Sequence, residues 1–235
     1  MRIEYSTCLV KGGKKEKNED RIMINNKVIA KTCISGVEEQ DLMSLVCVEG
    51  GAKEADMIVE SFKNFQIREC SPYSLSVHLN SVNAAVVSEQ FKNEMFHEML
   101  STATGIFIAD SKYILFNLGD IRIYMYLDGV LSLITKNKMV RRTNDAFNYR
   151  DTLITSYIGG SGNACTPFIR KGIAKRGSIF ILCNKGIYKS ISEKNLEKIL
   201  SSNYTLNQKK RGILKLSLQN ASNDDMSLIL LKCEA

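Results

Sequence analysis

Leu45-Val46-Cys47-Val48-Glu49-Gly50-Gly51 is the stretch on which the reading of this chain turns. An apolar run enters a Gly-Gly turn and leaves it as the segment Ala52 to Phe65, where Ala55, Ile58, Val59 and Phe62 recur at spacings of three and four and mark the buried stripe of a helix. Many hydrolases place a metal-binding carboxylate in such a strand–turn–helix setting. Here the position is Cys47, and a thiol at neutral pH is a poor ligand for magnesium or manganese, which take oxygen donors.

Working outward, Arg2 to Val10 and Asp20 to Val28 read as strands around a Gly/Lys-rich turn at Lys11 to Lys17, and Ser44 to Glu49 as a third strand. A second helix is predicted over Leu75 to Leu100, with Val77, Val82, Ala85, Val86, Phe91, Met95 and Met99 facing the core. From Ser101 the texture changes to a meander. Ala103 to Ala109, Tyr113 to Leu118 and Ile121 to Leu127 are short apolar runs, and Asp128-Gly129 is a two-residue hairpin signal before Val130 to Ile134. A polar stretch, Lys136 to Asp151, interrupts the pattern. Strands at Thr152 to Ile158 and Ser178 to Cys183, helices at Ser192 to Ser201 and Leu206 to Gln219, and a closing strand at Met226 to Lys232 complete it. This order predicts a single α+β domain over residues 1–235, with helices segregated outside antiparallel sheets.

Composition narrows the function classes. With 235 residues, 44% hydrophobic and 24% charged, the chain is long enough for one sizeable core and is not of disordered type. No apolar run approaches the roughly 18 to 20 residues of a membrane span, and Met1 to Tyr5 has no signal-like apolar region, so a cytoplasmic, membrane-free protein is expected. The net charge of +7 permits nucleic-acid binding, but the basic residues are scattered and no recognition motif accompanies them, so no nucleic-acid partner is expected. Seven cysteines (Cys8, Cys33, Cys47, Cys70, Cys165, Cys183, Cys233) lie far apart without a CxxC pair, and are read as small buried residues in a reducing compartment. The two histidines, His78 and His97, fall in the predicted second helix and suggest packing rather than catalysis.

Five segments, in this order, resemble the PP2C family of metal-dependent serine/threonine protein phosphatases. Asn18-Glu19-Asp20-Arg21 is similar to its NED motif, and Leu45 to Gly51 to VADGMGG. Gly119-Asp120-Ile121-Arg122-Ile123-Tyr124, followed by Leu127-Asp128-Gly129 and Leu133-Ile134-Thr135, is similar to GDSRAY-x-DG-x-LT. Ile181-Leu182-Cys183-Asn184-Lys185-Gly186-Ile187 resembles LLCSDGL, and Ser222-Asn223-Asp224-Asp225-Met226-Ser227 resembles SRDNIT. The resemblance implies a four-layer α-β-β-α sandwich, two antiparallel sheets flanked by helix pairs. It also implies aspartates at one sheet edge holding two Mg²⁺ or Mn²⁺ ions about 4 Å apart, which activate a hydroxide for in-line attack on phosphorus.

Carried over residue by residue, Glu19, Asp20, Asp120 and Asp224 match acids of that metal site. Two positions depart from it. The aspartate that bridges both metals becomes Cys47, and a further ligand becomes Lys185, a change of two charge units that repels a divalent ion at short range. The family's phosphate-binding arginine corresponds to Lys15, which keeps a charge but not the bidentate fork. Asn137-Lys138 stands where the family tends to have Asp-His. The expected function is therefore a pseudophosphatase that binds a protein or phosphoprotein partner, for instance a component of a serine/threonine kinase pathway. The alternative is an active phosphatase with one metal on Asp20, Asp120 and Asp224. A third reading is thiol or soft-metal chemistry at Cys47 with Cys183. Lys185 is expected to sit beside Asp20 or Asp224, supplying the charge the metal would have provided.

Overall fold

The computed structural model describes residues 1–13, 16–30, 32–39, 42–65, 71–92, 100–136, 139–144, 149–160, 165–220 and 223–234. Two six-stranded sheets, every pairing antiparallel, lie at its centre. The first contains β1 (Ile3–Val10), β4 (Cys33–Glu38), β8 (Arg122–Leu127), β9 (Val130–Leu133), β13 (Ile179–Cys183) and β14 (Met226–Cys233), in the order β4-β1-β14-β13-β8-β9. The second contains β2 (Arg21–Ile24), β3 (Lys27–Ile29), β5 (Leu42–Glu49), β6 (Thr102–Ala109), β7 (Lys112–Leu118) and β12 (Phe168–Ile173), in the order β12-β7-β6-β5-β2-β3. A separate hairpin pairs β10 (Met139–Asn144) with β11 (Tyr149–Ile154).

Alternation along each strand divides the apolar side chains among three layers. Ile3, Leu9, Ile22, Leu45, Ile106, Leu115, Ile123, Leu182 and Ile229 fill the space between the sheets. The outer face of the second sheet is covered by α1 (Ala52–Ser61) and α2 (Pro72–Lys92), through Ile58, Val59 and Phe62 of the first helical segment and Leu75, Leu79, Val82 and Val86 of the second. The outer face of the first sheet is covered by α3 (Lys185–Tyr188), α4 (Glu193–Leu200) and α5 (Leu206–Gln219), through Ile187, Leu196, Leu200 and Ile213. The result is the four-layer α-β-β-α arrangement, with its apolar strands near-continuous because both sheet faces are covered.

Local chemistry accounts for the joints. The Asp128-Gly129 hairpin forms between β8 and β9 with both residues in the left-handed region (φ 51° and 83°), as a type I′ turn requires. Asn25 (φ 50°) turns the chain between β2 and β3, so the single strand expected over residues 20–28 is two. The α5 N-terminus closes with a capping box: Thr205 Oγ1 accepts from the Gln208 amide, and Gln208 Oε1 accepts from the Thr205 amide.

The second helix differs from its prediction. It begins at Pro72, and its buried stripe is Leu75, Leu79, Val82, Val86 and Gln90, leaving Val77 and Phe91 exposed. Met95, His97 and Met99 lie outside the described residues. The helix carries few charges, so its apolar residues fall on every side and the pattern fits more than one face. Strands β4, β10 and β12 were not expected, and β10 lies within the stretch read as a polar interruption, Lys136 to Asp151. The sequences of β4 and β12, CISGVE and FIRKGI, form short edge strands with exposed positions, which carry little apolar signal.

The reading of the cysteines as small buried residues in a reducing compartment is corrected at Cys8 and Cys33, and Cys70 lies outside the described residues. Cys8 and Cys33 are direct cross-strand partners on β1 and β4 and are paired as a disulfide, with Cys33 on the exposed edge. Twenty-five residues separate them in sequence, and only the register of an unforeseen strand brings them together. Cys47, Cys183 and Cys233 are buried thiols, and Cys165 is half-buried. Among the described residues no helix is long and apolar enough to cross a membrane.

Candidate functional site

The acids converge where strands of both sheets end on the same side of the sandwich. Asp20 precedes β2, Cys47 and Glu49 lie near the end of β5, Asp120 precedes β8, Lys185 follows β13, and Asp224 precedes β14. Antiparallel pairing forces this convergence, because alternate strand ends reach the same edge. Two close approaches hold the edge together. A Cβ on Gly186 would lie 2.1 Å from the Asp225 carbonyl oxygen, and one on Gly12 2.2 Å from that of Asn223, so the loops of β1, β13 and β14 meet only because both residues are glycine.

Asp20 is buried and tightly held. Its Oδ2 accepts from Ser227 Oγ at 2.5 Å and from Asn184 Nδ2 at 3.2 Å, while its amide donates to Asn18 Oδ1. Asn184 also donates to the Asp225 carbonyl and accepts from the Ser227 amide, which locks the start of α3 to β14. Asp120 is buried too, and its Oδ2 accepts from the Tyr188 hydroxyl at 3.1 Å. The Arg122 guanidinium lies 3.9 Å from the centre of the Tyr188 ring and donates to Tyr124 Oη. Asp225, not a predicted ligand, accepts from the Gly12 amide and anchors the β1 loop.

Lys185 stands between two carboxylates: its Nζ is 3.8 Å from Asp224 Oδ1 and 3.9 Å from Glu49 Oε1. Glu49 is the member of this cluster that the sequence motifs did not single out. It occupies the methionine position of the family's turn, but two residues beyond Cys47 on the same strand it shares that residue's face, and this period-two relation was the available signal. Burial first, then the charges of Asp20 and Asp120, push its carboxyl up to about 8, with Lys185 pulling the other way. Its Oε2 is buried with no hydrogen-bond partner among the described residues.

Cys47 is fully enclosed. Burial, then Asp20 and Glu49, hold its thiol well above the ordinary value, and burial pushes Cys183 up to about 12. Reactive thiols are depressed in electropositive, accessible surroundings, so neither has the environment of a nucleophile. The other predicted positions divide. Glu19 is half-buried and pairs with Lys17 at 3.1 Å. Lys15, Asn137 and Lys138 lie outside the described residues.

The donor set does not fit a pair of divalent cations. The bridging position holds a protonated thiol, Asp20 Oδ2 already accepts two hydrogen bonds, and an ammonium lies within 4 Å of two of the remaining acids. Among the described residues no three His, Cys, Asp or Glu side chains are grouped so as to hold a metal ion.

This layered sandwich is the fold of the PP2C-type serine/threonine phosphatases. The S. agalactiae serine/threonine phosphatase superposes with a TM-score of 0.80 at 16% identity, covering 99% of this chain and 100% of that one. The catalytic domain of the serine/threonine protein phosphatase PstP, solved in complex with two manganese ions, gives 0.77 at 18% identity, with both chains covered completely. In sequence, a putative protein phosphatase of Mycoplasma genitalium is 25% identical over 152 residues, 59% of this chain; the match spans 58% of that relative's length. No family model matches the chain.

Proposed function

We propose that this chain is a PP2C-fold pseudophosphatase: one domain, residues 1–235, that has given up metal-dependent hydrolysis and serves as a binding module for a protein or phosphoprotein partner. The observation that carries the reading is the placement of the Lys185 ammonium between Glu49 and Asp224. A lysine there neutralises carboxylates that a divalent ion would otherwise bring together, and it competes directly with any such ion. Cys47 adds a second obstacle, because a bridging ligand must be deprotonated and this thiol is held protonated by burial and by Asp20. A phosphoprotein of a serine/threonine kinase pathway is the partner class consistent with the fold's ancestry and with a net charge of +7.

Two measurements on the purified protein test this: calorimetric titration with Mn²⁺, and Mn²⁺-dependent hydrolysis of an aryl phosphate. The expected result is no saturable heat and no turnover above buffer. One observation favours the alternative, an active enzyme with a single Mg²⁺ or Mn²⁺ on Asp20, Asp120 and Asp224: Glu49 Oε2, without a hydrogen-bond partner among the described residues, is available to face an ion. Turnover that vanishes in Asp224→Ala would establish that alternative and overturn the pseudophosphatase reading.

A further inference from the structure

At the opposite end of the first sheet, about 25 Å from the carboxylate cluster along the eight-residue β1–β14 ladder, lies a cavity of about 420 Å³. It is lined by Arg2, Arg176, Gly177, Lys232, Cys233 and Glu234. Three cations surround one carboxylate. Arg2 donates to Glu234 Oε2 at 2.7 Å and Lys232 to Glu234 Oε1 at 3.0 Å, so a single acid orients both. The third cation, Arg176, makes no hydrogen bond or ion pair among the described residues. Counting Glu39, which pairs with Arg2 from outside the lining, the group still carries a net charge of +1.

The turn that presents Arg176 is firmly built. The Ser178 amide donates to the Lys175 carbonyl at 3.1 Å, the Gly177 amide to the Cys233 carbonyl at 2.8 Å, and the Cys233 amide to the Ser178 carbonyl at 3.0 Å. Gly177 takes the left-handed conformation (φ 85°) such a turn demands, and its missing side chain leaves the cavity mouth open, with no atom within 4 Å of a Cβ there. A guanidinium with no partner among the described residues, carried on this turn beside two further cations, presents a donor fork to a tetrahedral oxyanion.

We propose that this cavity binds a phosphate group, as a free anion or as a phosphomonoester on a peptide. The site is independent of the carboxylate cluster and of the pseudophosphatase reading. Cavities of this volume accommodate a ligand the size of a phosphorylated amino acid.

The test is amide chemical-shift titration of the intact protein with inorganic phosphate, with a phosphoserine peptide and with its unphosphorylated twin, at constant ionic strength. Saturable shifts at the Gly177 and Cys233 amides are expected with the phosphorylated probes and not with the twin. Arg176→Gln, a change at an exposed turn position, should weaken the binding at least tenfold, whereas Lys185→Met at the other pole should leave it within twofold. A phosphopeptide binding at least tenfold tighter than inorganic phosphate identifies a protein ligand; equal affinities identify the free anion. Absence of saturable shifts at these amides with either phosphorylated probe, or an Arg176→Gln variant within twofold of the parent, overturns the proposal.

Discussion

Replacing Lys185 by methionine keeps the stem and removes the charge, and the cost should depend on pH in a way set by Glu49. Two unit charges 3.9 Å apart interact by about 1 kcal/mol at the dielectric of water and about 4 kcal/mol at an effective dielectric of 20. The Lys185 side chain is 38% exposed and that of Asp224 47%, so the Asp224 pair belongs near the water limit, at about 0.5 kcal/mol. Glu49 is more enclosed, at 21%, and its pairing belongs between the limits, at about 1–2 kcal/mol. Its carboxyl is raised from 4.5 to about 8, so the folded state holds a proton the unfolded state has released across that interval. The stability this contributes is complete below pH 4.5 and is lost as pH rises through 8. Lys185 limits the loss by stabilising the carboxylate form. Below about pH 7 Glu49 is neutral and Lys185→Met forfeits only the Asp224 pair; above about pH 9 it forfeits both. Urea denaturation of parent and variant at pH 6 and pH 9 should therefore give a difference in unfolding free energy that grows by about 1–2 kcal/mol between the two. In the Glu49→Gln background that growth should disappear. A cost that is equal at both pH values, or larger at pH 6, would refute the argument that Lys185 compensates Glu49.

Three further outcomes are expected. Cys47→Asp combined with Lys185→Asp restores acids at both departing positions; the metal-free variant should be less stable by about 2–4 kcal/mol, because a buried charge is left unpaired, and Mn²⁺ should raise its melting temperature and bind in calorimetry. Ser227→Ala removes the 2.5 Å hydrogen bond to buried Asp20 and should cost about 1–3 kcal/mol in chemical denaturation, with no change in the denaturant slope. Gly186→Ala drives a methyl into the Asp225 carbonyl oxygen and should destabilise by about 1–3 kcal/mol, visible as loss of melting temperature.

Much of the architecture was legible because the signals were local. The Asp128-Gly129 hairpin, the 55-58-59-62 stripe of the first helical segment and the apolar runs of β5, β6, β7, β13 and β14 are each written in a few adjacent residues, and each forms as expected. Strands β4 and β12 escaped because edge strands are half-exposed and need no continuous apolar pattern. The α2 stripe was placed correctly at Val82 and Val86 but not at Val77 and Phe91, for the opposite reason: with few charges on any side, periodicity alone could not choose between Val77 and Leu79.

The site divides in the same way. Sequence by itself determined which side chains stand at the motif positions, and so that a thiol and an ammonium replace two acids: residue identity is chemistry, independent of coordinates. Only the tertiary structure decided what those replacements meet. The sheet register brings Glu49 toward Lys185, pairs Glu19 with Lys17, clamps Asp20 against Ser227 and Asn184, and sets Cys8 opposite Cys33. Each of these depends on the relative position of strands far apart in the chain, and interactions of a few ångströms are fixed by packing rather than by sequence spacing.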